Sequence, residues 1–119
     1  PDDRRRIVRA GLTLALCPRS NHHIGGQLPD APALLAAGVP LALGTDSLAS
    51  SPDLDVLGEV QVLHRAFPDV PLATWLHAAT AGGADALGLP LGRLAAGLAP
   101  KLLLVHPERP WSEREVLVG

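Results

Sequence analysis

The chain has no methionine and no tyrosine, and its only aromatic residues are Phe67, Trp75 and Trp111. A core built on many large rings is therefore excluded, and Ala, Leu and Val must fill the interior. Net charge is also nearly absent: ten Lys and Arg stand against twelve Asp and Glu, a balance of −2. This removes the electrostatic argument for nucleic acid or an anionic membrane as partner, and the short basic run Arg4 to Arg6 reads as a helix surface. No apolar run approaches the roughly 20 residues that cross a bilayer. No secretory signal is visible, and the chain opens on Pro1 instead of Met, which reads as processing, a trimmed product or a fragment. Cys17 is the single cysteine, so an internal disulfide is excluded and a cytoplasmic setting is expected. The glycine-rich stretches lack Gly-x-Gly-x-x-Gly and the phosphate-loop lysine, so a nucleotide cradle is excluded as well.

What is present is punctuation. Twelve Gly and twelve Pro are scattered at the ends of apolar segments, where they mark boundaries. Asp2 to Ala10, acidic first and basic last, reads as a helix closed by Gly11. Thr13 to Cys17 is an almost wholly apolar strand of the kind covered on both faces. Pro18 to Gln27 reads as a loop, with Gly25-Gly26 giving it freedom. Asp30 caps a short helix over 31–37, with Pro32 in its first turn. Leu41 to Thr45 is the second strand. Residues 12–46 therefore form a strand–helix–strand unit with parallel strands and a right-handed crossover. Leu54 to Phe67 is an amphipathic helix with Val56, Leu57, Val60, Leu63 and Phe67 on its apolar face. Pro71 opens another helix to about Ala79, Thr80 caps a small-residue helix over 81–87, and Leu102 to Val105 is a last strand. A two-strand parallel unit cannot cover both of its faces, so the segment reads as a piece of a larger α/β array.

The chemistry gathers at two strand ends. The second strand stops on Asp46 and opens at once into a small polar loop, Ser47 to Asp53. The first stops on Cys17 and runs into Pro18-Arg19-Ser20-Asn21-His22-His23. In α/β enzymes reactive groups stand at the carboxyl ends of parallel strands. Asp46 is thus either a reactive carboxylate or a turn and cap aspartate. Ser20 and Asn21 either touch a ligand or close a turn. Adjacent histidines in an extended segment point apart, so one of His22 and His23 is expected to face the site and the other the solvent. Cys17 reads as a small buried residue, Glu59 as an exposed or capping carboxylate, and His64 and His77 as helix-borne structural or solvated residues.

Four stretches carry a resemblance. They are Leu14 to Asn21, Leu35 to Ser47, Ala79 to Leu89, and Gly92 to Gly97. In that order and spacing they resemble the amidohydrolase superfamily, in particular its cytosine deaminase, adenosine-type deaminase and chlorohydrolase group. The resemblance implies a metal-dependent aminohydrolase on a (β/α)8 barrel. This chain would supply the last two strands and following helices over 1–98 and the start of a small C-terminal β domain over 99–119. It also implies that Asp46 binds the metal and handles the proton of the attacking water, and that Ser20, Asn21 and His22 line the pocket of a purine-like, pyrimidine-like or related heterocyclic substrate. The implied cofactor is a divalent ion, zinc or else iron, and a homo-oligomer of the full-length enzyme is compatible with it.

Three departures bound the expectation. No His-x-His pair occurs among the five histidines, and a barrel needs roughly 250 residues where this sequence has 119. Ala99-Pro100-Lys101 stands where the family usually has Ala-Asp. The alternative is a non-catalytic α/β module that needs the missing strands or a partner chain.

Overall fold

In the computed structural model, residues 2–98, 101–105 and 114–117 are described. Helix α1 (Asp2–Arg9) leads into strand β1 (Leu14–Leu16), helix α2 (Pro18–Gly25), helix α3 (Ala31–Ala36) and strand β2 (Leu41–Leu43). Helix α4 (Val56–Ala66) follows, then α5 (Leu72–His77), a π-helical turn (Ala78–Gly82) and α6 (Gly83–Ala86). Strands β3 (Leu102–Val105) and β4 (Arg114–Leu117) complete the described residues. Ala99, Pro100, His106 and Trp111 lie outside them.

Strands β1 and β2 pair in parallel, Leu14 with Leu41 and Leu16 with Leu43, as the strand–helix–strand reading expects. Strands β3 and β4 form a separate antiparallel pair. Because β1 and β2 run the same way, Cys17 onward and Gly44 onward leave the sheet at the same end. That shared rim is where both polar clusters meet.

The core forms around β2, whose three residues are all buried. Leu16, Leu41, Leu43, Val60, Leu63 and Trp75 pack together, and Phe67 lies against Trp75 with ring centroids 6.3 Å apart. Aliphatic residues fill most of this core, as expected, but its largest member is the indole of Trp75, with no exposed surface. Truncating such a ring to Ala costs roughly 3–5 kcal/mol. The exposed Arg4–Asp30 ion pair at 3.0 Å belongs to a class worth about 0–1 kcal/mol, so packing decides the fold.

Two helices differ from expectation. The Pro18 to Gln27 segment is helical over most of its length. Pro18 occupies the first turn, where proline fits, and Gly26 is the left-handed C-cap (φ 67°), its N–H donating to His22 O. The residues that suggested a loop are the start and stop of a helix. Thr80, expected as a cap, sits inside the π turn. Its hydroxyl donates back to Leu76 O at 2.7 Å, the i−4 bond typical of a Thr inside a helix and one that tends to bend it. Asp30 and Asp55 do cap as aspartates should, accepting from Ala33 N and Leu57 N.

The π turn presses on the sheet at Gly82. A Cβ there would collide with the Leu41 carbonyl oxygen of β2, a backbone atom that cannot swing away. Gly82→Ala is therefore expected to lower unfolding free energy by about 1–3 kcal/mol. Chemical denaturation measures this, and an unchanged midpoint would contradict the close approach.

Candidate functional site

Asp46 lies three residues beyond β2 with φ +60°. Among non-glycine residues Asn and Asp are the ones that tolerate this left-handed backbone, so local sterics already favour the residue type. The turn lifts the carboxylate out of the sheet line, and Asp46 is exposed. Its Oδ2 is held from two sides. Ser50 Oγ donates at 2.7 Å from the loop after β2, and Ser20 Oγ donates at 2.9 Å from α2, the helix after β1. The two hydroxyl oxygens are themselves 2.9 Å apart. Each carries one proton, so an ionised Asp46 takes both.

These bonds set the charge state. The Ser50 hydroxyl, then that of Ser20 and the Ser47 backbone N–H, hold the Asp46 carboxyl below the usual carboxylate range, against a smaller opposing effect of burial. Asp46 is consequently ionised throughout neutral pH, as a metal-ligating or proton-accepting carboxylate must be. At the neighbouring Cys17, burial first pushes the thiol up; the Asp46 backbone N–H pulls it down, and the Asp46 and Glu59 charges raise it again. A raised thiol is a poor nucleophile, but Cys17 is half-buried, not buried as expected.

Behind this cluster stands a pair that the sequence reading missed. Glu59 has no exposed side-chain surface, contrary to the expectation of an exposed carboxylate. It does act as a cap, but on another helix. Its Oε2 accepts the Arg19 backbone N–H at 2.8 Å, in the first turn of α2, and its Oε1 accepts Arg19 Nε at 2.7 Å. This satisfies one of the N–H groups a helix start leaves open and sets a negative charge on the helix dipole. Arg19 Nη2 continues to Asp53 Oδ1 at 2.7 Å and to the Asp55 carbonyl at 2.8 Å. Asp53, first, and Glu59 keep the guanidinium protonated far above neutral pH. The signal was available: Val56, Glu59, Val60 and Leu63 follow the i, i+3, i+4, i+7 spacing of a buried helix face, and a carboxylate in that stripe calls for a buried partner.

The same rim borders an open cleft of about 640 Å³, walled by Leu48, Ala49 and Val62 and edged by His22, His23, Arg19 and Ser50. Small-molecule sites are commonly of roughly 300–1,000 Å³. Both histidines border it, so the expectation that the two rings point opposite ways is corrected: on a helix, adjacent residues are about 100° apart, not opposed. Asn21 is exposed on the same helix, and its side chain makes no hydrogen bond among the described residues. Ser50 belongs both to the cleft wall and to the Asp46 cluster.

A family model for the amidohydrolase family matches residues 1–117. The chain belongs to the amidohydrolase family. A 5-methylthioadenosine/S-adenosylhomocysteine deaminase of Haloquadratum walsbyi is 41% identical over 116 residues, which cover 92% of this chain and 26% of the relative. An aminodeoxyfutalosine deaminase of Deinococcus radiodurans is 44% identical over 88 residues, covering 74% and 21% respectively. A Pyrococcus abyssi protein with the first of these names is 36% identical over 111 residues, covering 87% and 26%. The chain thus spans about a quarter of the length of the curated relatives it matches.

Amidohydrolase-family proteins generally bind a divalent metal, so the donor set deserves a test of fit. An exposed, ionised carboxylate with a fixed Oδ2 suits one ligand position. Among the described residues, no three His, Cys, Asp or Glu side chains group so as to hold a metal ion. Among them, the Asp46 carboxylate would suit a single ligand position and no more.

The hydroxyl clamp predicts its own titration. Ser50→Ala is expected to raise the Asp46 pKa, and Ser20→Ala to raise it less. The sign follows from linkage: a lowered carboxylate pKa stabilises the fold at neutral pH, and that contribution is lost as pH falls through the lowered value. Carboxyl ¹³C NMR of the metal-free protein measures it. Identical titration in wild type and Ser50→Ala would contradict the clamp.

Proposed function

We propose that this chain is the closing segment of a metal-dependent aminohydrolase that removes an amino group from a purine-like or related heterocyclic ring. Residues 1–98 contribute the last two strands and following helices of a (β/α)8 barrel, and 99–119 begin a small β domain. The observation that carries this reading is the meeting, on one rim, of the Asp46 carboxylate with Ser20 from the neighbouring strand end, at 2.9 Å. Barrel enzymes build their sites at this carboxyl end from several strands at once. Support also comes from deaminase-named relatives that match most of the chain.

Asp46 is the metal-binding and proton-handling residue in this reading. A divalent ion, zinc or else iron, supplies when bound the Lewis acidity that brings the pKa of a water towards neutrality. Asp46 takes the proton released as the water oxygen bonds to the ring carbon, then returns it to the departing amino nitrogen, which leaves as ammonia. The ring carbon ends with oxygen in place of nitrogen, and no redox change occurs. Ser20 and Ser50 hold the carboxylate still between the two transfers. His22 and Asn21, on α2, line the substrate side; His22 already borders the cleft. A cytoplasmic location accompanies this reading.

The test uses the protein expressed from its complete reading frame. Ammonia release is measured from 5-methylthioadenosine, S-adenosylhomocysteine and aminodeoxyfutalosine. Asp46→Asn keeps the side-chain shape and tolerates φ +60°, so it is expected to fold, with a melting temperature lowered only by the loss of the charged clamp, and to lose at least about a thousandfold in kcat. Wild-type turnover by Asp46→Asn, or no release from any of the three compounds by the wild type, would overturn the proposal.

A further inference from the structure

Glu59 is the one acidic residue that is buried among the described residues. Both of its oxygens are taken by Arg19, one by the backbone N–H and one by Nε. The remaining reach of the guanidinium is spent on Asp53 and on the Asp55 carbonyl. A Cβ on residue 58 would stand 2.9 Å from Arg19 Nη1, so Gly58 leaves the groove in which the fork lies. The pair thereby fixes two things at once. It fixes the backbone of the residue before Ser20, and it fixes the end of the loop that carries Ser50. Those two serines supply the side-chain hydroxyls on Asp46 Oδ2.

We propose that Arg19 and Glu59 are positioning residues for the Asp46 carboxylate, acting through Ser20, whose preceding residue they hold. The inference rests on the proposed function and adds what sets the carboxylate's orientation. A tie that merely held α2 to α4 would cost stability when cut, and its effect on turnover would be indifferent to Ser20. A positioning pair acts through Ser20, so its effect on kcat must shrink once the Ser20 hydroxyl is gone.

The experiment replaces both partners together, Arg19→Met with Glu59→Met, in the protein expressed from its complete reading frame. This leaves no stranded buried charge, the arrangement least damaging to folding. Turnover is read as ammonia release from whichever of the three compounds the wild type processes fastest. The expected result is a fall of about tenfold or more in kcat with KM changed less than about twofold. In a Ser20→Ala background the same pair of changes is expected to cost less than about twofold further. Should the paired variant not fold, Glu59→Gln keeps an oxygen for the Arg19 N–H; a loss of about threefold in kcat with the same dependence on Ser20 is then expected.

Equal losses with and without Ser20, a change in KM alone, or wild-type kcat in these variants would overturn the positioning role. Asp46→Asn separates the two proposals. If it is inactive while the Arg19 and Glu59 variants behave as wild type, only the positioning role fails. If it is active, or the wild type releases no ammonia, the proposed function fails and the positioning role with it.

Discussion

A carboxylate with no exposed surface, Glu59, closes on the fork of Arg19, and the arrangement of the rim depends on that contact. Removing one partner of such a pair leaves an uncompensated buried charge at about 3–5 kcal/mol, a large share of the stability of a small domain. The contact ties the first turn of α2 to α4, and through Asp53 and Asp55 it also tethers the loop between β2 and α4. The parallel strands bring the two polar segments to one end of the sheet; the ion pair ties them together there.

Packing beneath the rim has its own constraint. Strand β2 is short and buried, with β1 on one side and the π turn against Leu41. Gly82 permits that approach by lacking a side chain. A second glycine, Gly92 (φ 74°), lies over the Thr80–Ala81 backbone, where a Cβ would come within 2.7 Å of the Thr80 carbonyl. The small residues of 78–84 thus have a steric reason: they let a helical run sit directly on strand backbone instead of on side chains.

Much of this was legible in the sequence, and the parts that were not have physical reasons. Apolar runs closed by polar clusters gave both strands of the parallel pair and its orientation. The Asp30 cap followed from local chemistry, whereas Asp55, read as lying within the helix from Leu54, is the cap of that helix. The Ser20–Asp46 meeting was implied by the parallel strands, although no sequence rule gave its hydrogen bonds. Helix α2 was hidden because Pro18 and Gly26 break chains in general and bound helices in particular. Glu59 was assigned to the wrong face of α4, since a charged residue in an apolar stripe is ordinarily assumed to point outwards; its burial required a partner forty residues earlier in the chain. Ser50 carried no signal beyond its place in a polar loop.

The central claim is that Asp46, clamped by Ser20 and Ser50, contributes one ligand to a metal site that residues outside the described ones complete. Anomalous diffraction from crystals of the protein expressed from its complete reading frame, collected at the metal's absorption edge, tests it most directly. The account predicts an ion bonded to an Asp46 carboxylate oxygen at about 2.0–2.2 Å, with both serine hydroxyls still on that carboxylate. An ion bound elsewhere, with Asp46 facing only solvent or backbone, would contradict it.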